Sequence, residues 1–401
     1  MEDLRRKGHQ LIVVDSGDLF SHPSTIDKPL DAREKEILDW KVDLYLKTYD
    51  LMGYDALTPG EIDLSWGVRK LVRKSKEARF FFLLANLIDG QTQKPVFRPY
   101  MIKEVGDMKI GFLGLLSKQL VLGGPPEEKG RFYLADPILT AKKAIDELKR
   151  NNCEIFIALA HMEKEEQITL AQAVPEIQFI ISGHDQEFSD VPIKPDKSGA
   201  QIFFSGIGGE FLGQVDFSPF QRKWQSRFQT VKLKKSFPEH FEVEESINHY
   251  KEVVKSLFLA AVAEVQKKVP ELRDTHAPPP FVGEKGCLPC HPQQHQFWQI
   301  TGHALAYQTL DKRDKSSDFT CLPCHTTNLK AGGALGGLLE SVQCEACHGA
   351  RKAHVEKLER GSPVDEKRCL ICHNPAKSPN YRYLEYLERI RCPKSDPAVT
   401  P

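Results

Sequence analysis

Charge of one sign is missing from this chain: 55 Lys and Arg stand against 55 Asp and Glu. No net field attracts a polyanion, so net charge names no partner and no nucleic-acid role is expected. Long hydrophobic runs are missing too. The most apolar stretch, SLFLAAVAEV from Ser256, is broken by charge well before the roughly eighteen apolar residues a membrane span requires. No transmembrane segment is therefore expected in the chain. A third absence is at the start, where MEDLRRKGHQLIVV offers an apolar run of four residues that reads as a strand and not as a secretion signal.

Cysteine is scarce over most of the sequence and crowded near its end. Eight of the ten cysteines form four C-x-x-C pairs, each followed at once by histidine: Cys287/Cys290/His291, Cys321/Cys324/His325, Cys344/Cys347/His348 and Cys369/Cys372/His373. Chance gives roughly a hundredth of one such match in a chain of this usage. In C-x-x-C-H the two thiols add to the vinyl groups of one haem, and the next histidine is set under the iron as its proximal ligand. Zinc ribbons also use C-x-x-C, but a zinc site has no need of histidine after every second cysteine. The spacing predicts four covalently bound haems c, with the eight cysteines as attachment points and His291, His325, His348 and His373 as proximal ligands.

The segment from Phe281 is too small to bury four haems behind a conventional core, so the cofactors themselves are expected to be the core. It carries 16 Lys and Arg against 13 Asp and Glu, and haem propionates would make the loaded domain acidic. A second histidine on an iron closes it for electron transfer, whereas an open position admits a small molecule. The candidates outside the motifs are His276, His295, His303 and His354. HPQQHQFWQITGHALA and CEACHGARKAH resemble the tetrahaem cytochrome c family that accepts electrons from hydroxylamine oxidoreductase, over about residues 281 to 376. The resemblance implies that His303 caps the third haem and His354 the first. It also implies a distal histidine after the fourth motif, and none follows His373, so that haem borrows His276 or His295, takes another ligand or stays open. Haem attachment of this type occurs beyond the cytoplasmic membrane. A secretion signal upstream of Met1 and a periplasmic or otherwise extracytoplasmic location are expected.

The first 240 residues alternate between strand and helix patterns. Strand-like runs start at Leu11, Phe80, Lys109, Glu154 and Ile177, helical patterns cover Ala32 to Leu51 and Ile138 to Lys149, and short antiparallel strands are expected from Gln201 to Leu233. Polar residues collect at strand ends, where α/β folds place their sites. VVDSGDLF, YDALTPGEID, IALAHM and IISGHDQ resemble, in order and spacing, the metallophosphatase motifs of periplasmic 5'-nucleotidases. That resemblance implies an α/β/β/α sandwich and a pair of metal ions that activate water and clamp phosphate. Asp18 matches the bridging carboxylate, His161 the lone histidine and His184 the first histidine of the last motif. The D-x-H strand of the family is not in this sequence, Glu61 replaces an Asn ligand, Ile62 stands at the acid-base histidine, and Gln186 replaces the last histidine. Ordinary phosphoesterase catalysis is therefore not expected, although Asp18, Glu61, His161 and His184 remain candidates to hold one or two divalent ions.

From Glu242 to Val269 the apolar spacing is helical, and PELRDTHAPPPFVG then breaks it with prolines. The expected organisation is α+β and multidomain: a metallophosphatase-like sandwich over 1–240, a helix and Pro-rich linker over 241–280, and a mainly helical, haem-organised domain over 281–401. The expected role is extracytoplasmic electron transfer between redox protein partners. Two alternatives stay open, a metal-dependent phosphohydrolase with an appended haem domain and a multihaem reductase of a small oxyanion or hydroxylamine-type substrate.

Overall fold

The computed structural model describes residues 1–20, 32–185, 187–206, 208–220, 223–234, 236–268, 281–313, 315–316, 321–327, 339–358, 364–374, 378 and 380–393. Gln186, His276 and the rest of the Pro-rich linker lie outside them. The chain divides into two compact units, Met1–Tyr250 and Lys251–Pro401.

The first unit opens with α1 (Glu2–Arg6), β1 (Val14–Asp15), α2 (Ala32–Met52), β2 (Ala56–Leu57), α3 (Glu61–Leu64), α4 (Val68–Lys74), β3 (Phe81–Phe82), β4 (Leu87–Asp89) and β5 (Lys94–Pro95). It continues through β6 (Tyr100–Val105), β7 (Met108–Leu116), β8 (Phe132–Leu134), α5 (Pro137–Arg150), β9 (Ile155–Met162), α6 (Lys164–Ala173), β10 (Phe179–His184) and β11 (Gln201–Phe203), and ends with the hairpin β12 (Phe211–Phe220) and β13 (Lys223–Lys232). The central sheet runs β11-β10-β9-β7-β6, parallel except for the β6–β7 pair. A smaller parallel sheet runs β1-β2-β3.

Side chains that alternate along a strand feed two cores at once. On β9, Phe156, Ala158, Ala160 and Met162 join a cluster with Ala141, Ala144, Ile145 and Leu148 of α5. Ile155, Ile157 and Leu159 point the other way, to a cluster that holds Ala56 of β2 and Leu83. On the far side of the small sheet, Leu57 and Phe82 pack against Leu38, Val42, Leu46 and Tyr49 of α2. Helix, sheet, sheet and helix thus stack as four layers. The α5 residues fall at i, i+3, i+4 and i+7, the spacing of one buried helical face. The same helix is started by Pro137 and by Asp136, whose carboxylate accepts from the Ile138 and Leu139 amides.

Three local readings differ from the structure. The run from Leu11 pairs only at Val14–Asp15. The run from Phe80 splits into β3 and β4, which belong to different sheets, because buried Asn86 binds the Leu116 amide and the Leu116 and Ala135 carbonyls in place of a ladder partner. β11 lies parallel to β10 in the central sheet, so between Gln201 and Leu233 the antiparallel ladder is that of β12 with β13.

Helix α7 (Phe241–Lys268) leaves the first unit. The second unit is built on short helices: α8 (Gly283–Cys287), α9 (Pro292–Gln299), α10 (Ala306–Asp311), α11 (Leu322–His325), α12 (Cys344–His348), α13 (Lys352–Lys357), α14 (Glu366–Leu370) and α15 (Tyr383–Ile390). Among its described residues the buried hydrophobics are Ala306, Leu310 and Leu322. The polar Glu345 ties it instead, accepting from the Val282, Gly283 and Arg351 amides.

Candidate functional site

In the first unit, Asp18 follows β1, Glu61 opens α3, His161 lies near the end of β9 and His184 ends β10, and one ligand atom from each lies within 4.8 Å of all the others. Strand register brings the two histidines together, since Gly183 pairs with His161 and His184 with Met162. Gly183 and Gly60 allow the close approach. A Cβ on Gly183 would stand 2.2 Å from the Ser16 carbonyl oxygen, and one on Gly60 would stand 2.1 Å from Asp18 Oδ1. Asp18 (φ 61°) and His184 (φ 71°) both adopt the left-handed region, a strain that concentrates at functional sites.

His161 is fully buried. Its Nδ1 lies 2.6 Å from the Ser16 carbonyl, which can only accept, so Nδ1 carries the proton. Nε2 then faces two acceptors, Glu61 Oε2 at 2.9 Å and Asp18 Oδ2 at 3.3 Å. A lone pair aimed at two carboxylates demands a cation between them, either a proton or a metal. Burial opposes charge on His161, but Asp18 and Glu61 outweigh it and push the imidazole up to about 10. Burial also works against the Glu61 carboxylate, yet hydrogen bonds from His161 and His184 hold it below the usual carboxylate range. His184 reaches Glu61 Oε1 at 3.4 Å through Nδ1 and Glu163 Oε1 at 3.3 Å through Nε2. These donors suit a hard or borderline divalent ion. Ile62 is buried beside them, and its amide donates to Asp18 Oδ1.

Sequence reading assigned no role to Asp63. It is fully buried and accepts from the Asp18, Phe20 and Gly60 amides at 2.8, 2.7 and 3.0 Å, so it fixes the loop that presents Asp18. Burial and the nearby Asp18 push its carboxyl up to about 7. Asp15 plays a similar part, accepting from the Gly17 amide and the Tyr49 hydroxyl. A cavity of about 1370 Å³ is lined by Asp18 and His184 at one end and by Phe112, Phe179, Phe203 and Phe228 elsewhere.

In the second unit the C-x-x-C-H motifs lie on single helical turns. The His291 and His373 amides donate to the Cys287 and Cys369 carbonyls at 2.9 and 2.8 Å, so each cysteine pair and its histidine project from one face. The cysteines form no disulfide among the described residues. His291 and His354 have ring centroids 6.0 Å apart, and His303 and His373 6.1 Å. Two imidazoles on opposite sides of one iron, each with a metal–nitrogen bond of about 2 Å, have centroids about 6 Å apart. His303 therefore faces the histidine of the fourth motif, not that of the third. His295 is buried with Nε2 engaged by Glu284, and among the described residues no histidine ring faces it. His325 donates from Nδ1 to the Ala306 carbonyl at 2.7 Å, and His373 Nδ1 meets Ser378 Oγ at 3.1 Å. Both contacts leave Nε2 for a metal. Among the described residues neither His325 nor His348 faces another histidine.

Fold and sites thus define two classes in one chain: a metallophosphoesterase fold of the 5'-nucleotidase type, followed by a mainly helical unit with c-type cytochrome motifs. The sequence profile of the family described as "Cytochrome c554 and c-prime" matches residues 286–349. A 2',3'-cyclic-nucleotide 2'-phosphodiesterase/3'-nucleotidase of Salmonella typhimurium is 26% identical over 244 residues, which cover 53% of this chain and 37% of that relative. A 5'-nucleotidase of Vibrio cholerae is 28% identical over 247 residues, covering 54% of this chain and 42% of the relative. The chain thus spans less than half the length of these curated relatives. Among solved structures, the sulfate thiohydrolase SoxB of Thermus thermophilus superposes with a TM-score of 0.53 at 19% identity, covering 62% of this chain and 44% of the other. The calcineurin-like phosphoesterase YfkN of Bacillus subtilis gives 0.51 at 19% identity, covering 63% of this chain and 86% of the other. These structures share the fold. Among the described residues no helix is long and apolar enough to cross a membrane.

Proposed function

We propose that this chain is an extracytoplasmic electron-transfer protein that binds four haems c through its C-x-x-C-H motifs and exchanges electrons with redox protein partners. One observation carries the reading: two histidine pairs stand at the spacing of an intervening iron in a unit whose described residues hold almost no apolar core. Bound haem supplies one-electron redox chemistry. The residues of the chain do the holding. Cys287, Cys290, Cys321, Cys324, Cys344, Cys347, Cys369 and Cys372 anchor it. His291 with His354 and His373 with His303 close two of the four sites, the Ala306 carbonyl fixes the tautomer of His325, and Ser378 Oγ orients the His373 ring. The intact mass of protein matured in its native host tests the proposal. Four haem additions are expected, and a mass without haem overturns it.

The first unit is read as a metal-binding domain that is not an ordinary phosphoesterase, because apolar Ile62 occupies the place of a proton-transferring side chain. The resemblance to nucleotidases and the intact cluster of four ligands favour the phosphohydrolase as the second reading. Release of phosphate from a nucleotide by the metal-loaded chain would establish it. A third reading, reduction of a small oxyanion or hydroxylamine-type molecule, draws on the two proximal histidines that face no second histidine. A high-spin haem signal that shifts when such a molecule is added would favour it.

A further inference from the structure

We propose that Tyr381 and Tyr386 are positioning residues for the fourth haem, holding the His373 ring crossed to that of His303 and so making this iron electronically distinct from the first. The inference rests on the reading of the second unit as a haem domain. It goes beyond that reading by assigning two residues outside every C-x-x-C-H motif, together with the property of the iron they control.

The two facing histidine pairs share a separation and differ in twist. The rings of His291 and His354 lie 23° from parallel, whereas those of His303 and His373 are 49° apart. An imidazole turns about its bond to a metal with little resistance of its own, so the groups packed on the ring decide the angle. Around His373 those groups are aromatic. Tyr381 stacks on its face, with centroids 4.8 Å apart and planes 11° from parallel, and Tyr386 meets it edge-on at 5.6 Å and 71°. The two phenols brace each other at 4.9 Å, and the Arg389 guanidinium lies 5.5 Å over the Tyr386 ring. Local geometry brings them there. The Ser378 amide donates to the Asn374 carbonyl at 2.8 Å, the Tyr381 amide to the Ser378 carbonyl at 3.0 Å and the Tyr386 amide to the Arg382 carbonyl at 3.0 Å, so consecutive turns fold the chain back over the fourth motif. Ser378 Oγ, at 3.1 Å from Nδ1, belongs to the same turn. Turning His373 toward the plane of His303 would break the stack and drive a ring edge into Tyr381.

The angle matters because each imidazole donates π density to the iron d orbital that stands perpendicular to its ring. Two parallel rings raise the same orbital and split it widely from its neighbour. Two crossed rings divide the effect between both orbitals, and the splitting narrows. In a low-spin ferric haem the unpaired electron occupies this orbital pair, so a narrow splitting gives a larger maximal g value and a wide one a smaller value. The protein thus tunes the iron through what orients its ligands, without changing the ligands themselves. The 23° and 49° pairs place the first and fourth haems on different sides of this scale.

The test is electron paramagnetic resonance of the full, haem-loaded chain in its oxidised state. The low-spin signal lost in His303→Ala marks the fourth haem, and the one lost in His354→Ala marks the first. The fourth should have the larger maximal g. In Tyr381→Leu, and separately in Tyr386→Leu, that signal should move toward the position of the first or broaden as the freed ring samples several angles, with the haem count and the first signal unchanged. Tyr381→Phe, which keeps the stack, should restore the parental spectrum. A fourth-haem signal unchanged in position and width in both leucine variants would overturn the positioning role, and equal g values for the two haems would overturn the crossed geometry. Either result leaves the haem reading standing, whereas a parent without any low-spin ferric signal overturns both.

Discussion

Asp63 receives three backbone N–H groups on two oxygens, and no neutral side chain of its shape can do the same. Asp63→Asn turns one acceptor into a donor that points at backbone donors, a loss of about 1–3 kcal/mol, readable as a fall in the urea midpoint. Asp136 makes a different case. Its carboxylate caps α5 and is held below the ordinary range, first by the Leu139 amide and also by Lys118. A depressed folded pKa stabilises the protein above the ordinary value of about 3.9 and loses that contribution as pH falls through the folded value. Asp136→Ala should cost about 1 kcal/mol near neutral pH, and its stability difference from the parent should shrink as pH falls below the ordinary carboxylate range. Asp18, Glu61, His161 and His184 were legible because they sit in ordered motifs at strand ends. Asp63 was not, since its partners are backbone amides, two of them more than forty residues away, and these leave no pattern in side-chain identity.

At the scale of elements, near-continuous apolar runs made β7, β9 and β10 legible, because a strand covered on both faces serves two cores. The extent of the short strands escaped. β1 and β3 have two residues each, too few to show a period, and what ends them is tertiary. The close contact of the two sheets is concentrated at Gly114, where a Cβ would lie 2.0 Å from the Leu83 carbonyl oxygen, while at Gly111 it would meet only the movable methyls of Leu148 at 2.7 Å. Gly114→Ala should therefore lower the melting temperature far more than Gly111→Ala, or prevent folding, since backbone cannot rotate away as a side chain can. Equal losses at the two sites would refute this account of the sheet contact.

For the whole molecule, the two-part organisation was legible in the crowding of C-x-x-C-H motifs toward the end of the chain. The partner of His303 was not. His303 faces His373 because helices distant in sequence are folded together, and spacing along the chain carries no trace of that. If the pairing holds, His303→Ala should convert one low-spin haem to high spin in the optical and paramagnetic spectra. His295→Ala should leave the low-spin count unchanged, because Glu284 already occupies its ring nitrogen.

The near-absence of buried hydrophobics among the described residues of the second unit bears on how the protein is made. Apolar burial of about 25 cal/mol per Å² is what normally offsets the entropy of ordering a chain, and on the proposed reading the porphyrin faces would provide most of it here. On the proposed haem-binding reading, attachment is expected to precede folding of this region, and the second unit is expected to be protease-sensitive until its thiols are loaded. The supply of cofactor then acts as quality control. Chains made under iron limitation should survive limited proteolysis only as a fragment of the first unit, so the abundance of the full-length form becomes a readout of haem delivery.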